Sequence, residues 1–115
     1  MDHYEIWFNL KDAHRDLEFS KKLSAYLGHL RGLGHLEGHA FTRRKLGFGP
    51  SALGEFHVDI HVKDMAQLEG MFQYVATRGA PVEPLHRAVY GMVMDFSSAL
   101  YRDFPDPVRR APTTA

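Results

Sequence analysis

Hydrophobic and polar residues alternate strictly from Glu55 to Lys63. Side chains of extended backbone point to opposite faces in turn, so this stretch predicts a strand. Phe56, Val58, Ile60 and Val62 make one face, and Glu55, His57, Asp59, His61 and Lys63 make the other. Tyr4, Ile6, Phe8 and Leu10 alternate in the same way with His3, Glu5, Trp7 and Asn9, predicting a first strand whose second face is polar apart from one indole. Between them, Phe19, Leu23, Tyr26, Leu27 and Leu30 recur at helical spacing. Asp12 is the expected N-cap of that helix, which runs to about Arg31 and is stopped by Gly32 and Gly34.

A second strand is expected from about His35 to Leu46, ending in the basic run Arg43, Arg44 and Lys45, followed by a Gly- and Pro-broken loop. Asp64 with Gln67 has the form of a capping box opening a second helix through about Arg78. Its expected buried stripe is Met65, Leu68, Phe72 and Val75. Glu83 to Val93 reads as a short helix and Met94 to Phe104 as a last strand. The order strand, helix, strand, strand, helix, strand is that of an α+β, ferredoxin-like split βαβ fold: a four-stranded antiparallel sheet with two helices on one face. Residues 1–104 form this domain, and residues 105–115, rich in proline, form an extended C-terminal tail. Helices cover only one sheet face, and two subunits closing their open faces together make a dimeric α+β barrel. A homodimer is therefore the expected partner state.

Composition narrows the function classes. The 115 residues are 44% hydrophobic and 24% charged, as in an ordinary soluble globular domain. Fourteen basic residues balance fourteen acidic ones, so no overall field favours nucleic acid or anionic lipid. The Arg43, Arg44 and Lys45 cluster is explained more simply by ion pairs or by anchoring the following loop, because the aromatic and glycine signature of RNA-binding sheets is missing. Neither a nucleic-acid nor a membrane partner is expected. The chain has no cysteine, which removes disulfides, thiolate nucleophiles and sulfur metal sites. The acidic start, Met-Asp-His-Tyr-Glu-Ile, is unlike a signal peptide, so a cytoplasmic location is expected.

The candidate chemistry lies on the polar sheet face. His57 beside Asp59 is a candidate acid–base pair, since a neighbouring carboxylate fixes the charge and tautomer of an imidazole. Trp7 offers a flat stacking surface, and Asn9, His39 and His61 are candidate ligand-orienting groups. The His57-x-Asp59-x-His61 ladder is also metal-competent. Its outer Cα atoms stand roughly 13 Å apart along a strand, which favours one His–Asp pair assisted from elsewhere over the whole triplet.

The segments Arg43 to Pro50, Leu53 to His57 and Ala99 to Asp106 resemble an uncharacterised bacterial family, a domain of unknown function with this topology. That resemblance implies the dimeric barrel fold but brings no activity or catalytic residues with it. Relatives by fold include cofactor-independent monooxygenases, haem-handling proteins and stress-response proteins. Three readings stand open: a small-molecule site on the polar face, with or without catalysis; a non-catalytic assembly or regulatory module; and a metal-dependent enzyme using the strand histidines. The cofactor and the question of enzymatic activity stay unassigned.

Overall fold

A computed structural model describes residues 1–109. Strands β1 (Asp2–Leu10), β2 (Gly38–Arg43), β3 (Phe56–Val62) and β4 (Val93–Arg102) form one antiparallel sheet in the order β2-β3-β1-β4. Helices α1 (Asp16–Gly32), α2 (Met65–Ala76) and α3 (Val82–Tyr90) lie on one face of it. This is the expected ferredoxin-like α+β fold, with the short third helix added to the two principal ones. The part of the expected tail over residues 110–115 lies outside the described residues. Within the rest, Pro107–Arg109 makes a single helical turn.

Alternation sets the two sheet faces as the sequence implies. Ile6, Phe8, Leu10, Phe56, Val58, Ile60 and Val62 are buried beneath the helices with Phe19, Leu23, Tyr26, Leu27 and Leu30 of α1. Phe8, Phe19, Phe41 and Phe56 stack at one end of this core, with ring centroids 5.2–6.4 Å apart. Asp12 caps a short turn, Ala13–Arg15, that leads into α1. Asp64 accepts from the Gln67 backbone N–H at 2.9 Å, and the Gln67 side chain accepts from the Lys63 N–H at 2.7 Å, so the predicted cap forms.

The buried arc of α2 differs from the expected stripe. Leu68 and Met71 face the core, whereas Met65 and Phe72 are about half exposed and Val75 is partly covered. Apolar residues occupy much of the circumference of α2, and packing selects which arc is used. Strand β2 is also shorter than expected. Leu36 is buried ahead of it, and the chain leaves the ladder after Arg43, where the Arg44 guanidinium holds the loop by donating to the carbonyls of Pro50 and Leu53. Among the described residues, no helix is long and apolar enough to cross a membrane.

Candidate functional site

Cross-strand register builds the polar face. His3 pairs with His61, Glu5 with Asp59 and Trp7 with His57 along β1 and β3. Small residues of the edge strands flank this double column: Gly38, Ala40 and Thr42 on β2, and Ser97 and Ala99 on β4.

Two clusters result. In the first, the His57 Nε2 lies 3.1 Å from the Glu5 carboxylate, and its ring stacks on Trp7 at 4.8 Å between centroids. In the second, Asp59 holds two imidazoles: His61 Nε2 at 3.1 Å from one oxygen and His3 Nδ1 at 3.3 Å from the other. The His3 Nε2 donates in turn to Asp103 at 2.6 Å. That bond, together with Asp59, raises the His3 pKa above the ordinary imidazole value, and the same bond lowers that of Asp103. The candidate pair His57 and Asp59 is therefore divided, each residue serving a different cluster.

Two further residues of the expected site play other parts. Asn9 donates to Asp95 at 3.0 Å and accepts from the Glu55 N–H at 2.8 Å, so both ends of its amide clamp the sheet. His39 lies opposite Ile60, on the helix-facing side of edge strand β2; burial lowers its pKa, with smaller contributions from the charges of His61 and Arg31, and it makes no side-chain hydrogen bond to the polar-face groups. Phe41, two positions along and opposite buried Val58, fixes that phase. Conversely, His3 joins the Asp59 cluster although the spacing of residues on β3 alone gives no hint of it.

A second candidate lies on the other side of the sheet. Helices α1, α2 and α3 line a half-open cavity of about 340 Å³ above Tyr4 and Ile60. Its inner wall is Tyr26, Leu27, Leu30 and Met71, and its rim carries Phe72, Ala76, Arg78, Glu83, His86 and Tyr90. Tyr26 is only 6% exposed, but its hydroxyl keeps access to solvent; among the described residues, the buried side-chain hydroxyl without a hydrogen-bond partner is that of Ser97 on β4. Burial pushes the Tyr26 phenol far above its usual pKa and that of Tyr90 up to about 12, so both remain O–H donors. Burial lowers the pKa of His86, whose ring stacks on Tyr90 at 4.3 Å. Glu83 is engaged by Arg87 at 3.1 Å, whereas Arg78 forms no ion pair among the described residues. Nothing in the strand alternation marks this cavity.

Fold and geometry together define a ferredoxin-like α+β protein with a titratable open sheet face and an aromatic-walled cavity beneath its helices. The chain belongs to a family of unknown function, DUF6614, which it matches over residues 1–114. It is also similar to a dimeric ferredoxin-like protein of unknown function from Thermobifida fusca, with a TM-score of 0.60 and 13% identity over 87% of this chain and 88% of that one. No curated protein matches it.

Proposed function

We propose that the chain binds a small planar aromatic carboxylate in the cavity between its helices and its sheet. The observation that carries this reading is a 340 Å³ cavity lined by Tyr4, Tyr26 and Tyr90 with the guanidinium of Arg78, which forms no ion pair among the described residues, at its rim. Hydrogen bonds to a charged group contribute about 1.5–3 kcal/mol, so a ligand carboxylate that accepts from Arg78 and a tyrosine hydroxyl gains that contribution. The cavity has the size and the mostly apolar lining of small-molecule sites. An apolar cavity of about 150 Å³ already holds benzene, which leaves room here for a fused ring with a polar substituent.

The polar lining favours an anion. Tyr4, Tyr26 and Tyr90 offer hydroxyl donors, and Arg78 brings a guanidinium to the rim. The one carboxylate there, Glu83, is already paired with Arg87. This reading keeps the expected class of ligand, a small molecule, and moves it from the polar face to the helix side of the sheet. The uncovered polar face is read as the surface that pairs with a second copy of the chain. Exposed Met94 and Tyr101 flank that face, and the similar solved protein is described as dimeric.

Calorimetric titration with 2-naphthoate tests the ligand. Saturable binding is expected at one molecule per chain, weakened about tenfold or more by Arg78→Gln, in line with a charged hydrogen bond of about 1.5–3 kcal/mol. Tyr26→Phe is expected to weaken it less, with naphthalene as the uncharged control binding more weakly than naphthoate. Absence of saturable binding, or equal affinity of wild type and both variants, would overturn the reading.

A further inference from the structure

We propose that His3, Asp59 and His61 on the polar sheet face form a binding site for one divalent first-row transition ion, with the fourth coordination position left open. The site is separate from the helix-side cavity, and it requires nothing of the ligand assigned there.

Geometry is the first support. One ligand atom from each of the three residues lies within 4.8 Å of the others, and the two contacts to Asp59 are 3.1 and 3.3 Å. Tetrahedral coordination at about 2.1 Å places ligand atoms about 3.4 Å apart; each imidazole already stands at about that distance from one oxygen of Asp59, and bringing both to a single oxygen takes a rotation of the carboxylate. The imidazole nitrogens, within 4.8 Å of each other, close the third edge by side-chain rotation. In the single chain the side chains of His3, Asp59 and His61 are 22–34% exposed, so an ion reaches the cluster before two copies pair through this face. Gly38, the neighbour of His61 on β2, leaves that imbalanced flank free of bulk.

Hydrogen bonding is the second support. Metal-binding histidines commonly donate their other ring nitrogen to a carboxylate, which fixes the tautomer and orients the ring. His3 has this arrangement: Nε2 faces Asp103 at 2.6 Å, and Nδ1 faces Asp59 at 3.3 Å. With the proton on Nε2, the Nδ1 lone pair points at a carboxylate oxygen. Two such centres repel unless a cation lies between them, either a metal ion or a second proton on the ring. Two imidazoles and one carboxylate suit zinc, cobalt(II) or nickel(II), whereas magnesium and calcium prefer oxygen ligands throughout.

Equilibrium titration of the untagged full chain at pH 7.5 with Zn²⁺, and with Co²⁺ as the optical probe, decides between metal and proton. One ion per chain is expected, with a visible cobalt band of low-symmetry coordination. In NMR spectra of the wild-type protein with Zn²⁺, the imidazole signals of His3 and His61 should shift while those of His14, exposed on the far turn, stay in place. His61→Ala and Asp59→Asn should weaken binding at least tenfold. Asp103→Asn, which weakens the positioning partner of His3 and also the ion pair of Asp103 with the Met1 amine, should weaken it by about 10–100-fold. His14→Ala should leave it unchanged. Should either ligand variant unfold, the wild-type NMR shifts still decide. No saturable zinc binding, or binding that leaves the His3 and His61 signals unmoved, overturns the site and leaves a doubly protonated His3 as the cation at Asp59.

Discussion

Gly54 stands where a side chain has no room. A Cβ built on it would approach the Phe8 carbonyl carbon and oxygen far inside contact distance, because the chain enters β3 pressed against β1. Gly54→Ala is therefore expected to destabilise the fold by at least ~2 kcal/mol, read from urea denaturation. A loss below about 0.5 kcal/mol would show that the two backbones separate easily. His86 gives a pH prediction. Its neighbours are Tyr26, Tyr90, Glu83 and Arg78, and burial holds its pKa below the unfolded value of about 6.5. The unfolded chain then binds the proton more readily, so the contribution of His86 is fully present above pH 6.5 and is lost as pH falls through the folded value. His86→Phe should flatten the acid side of the stability profile relative to wild type. A profile unchanged by the substitution would contradict this. At this scale the sequence was partly legible: alternation put His57, Asp59 and His61 on one face. It did not reveal His3, whose place in the cluster depends on pairing between strands distant in sequence.

The elements show the same division between local and non-local information. Capping was readable because it is local, and Asp64→Ala should cost about 1 kcal/mol of stability by removing the acceptor for the Gln67 N–H. Calorimetric unfolding with no loss would contradict that role. The phase of β2 was harder, since Gly38–Arg43 lacks a clean alternation. Only Phe41 marks the inward side, and it carries His39 with it. In α2, inward use of Leu68 and Met71 leaves Phe72 and Val75 at the cavity. The displaced stripe thus becomes the mouth of the candidate ligand site. Arg78, just beyond α2, has a φ of 53°, a conformation glycine adopts more readily. Arg78→Gly is accordingly expected to change stability by less than about 1 kcal/mol while weakening naphthoate binding about tenfold. Equal loss of both would mean that Arg78 serves the fold instead of the ligand.

For the whole molecule, the order of elements and the covered sheet face followed from the sequence, the latter because seven apolar positions on β1 and β3 demanded a helical layer. The cavity did not, since it depends on how far α2 stands from α1 and α3. Pairing of two chains through the polar face predicts a particle of about 26 kDa by light scattering, twice the 13.1 kDa chain. Tyr101→Glu, placing a charge beside His3 on that face, should shift it toward the monomer. A wild-type particle of one chain mass would remove the pairing. The most direct measurement of ligand binding is a ¹H–¹⁵N NMR titration of the labelled protein with 2-naphthoate. Saturable shifts are predicted at Tyr26, Leu30, Met71, Val75, Arg78 and His86, around the helix-side cavity. Shifts confined to His57, Asp59 and Trp7 on the opposite face, or none that saturate, would contradict it.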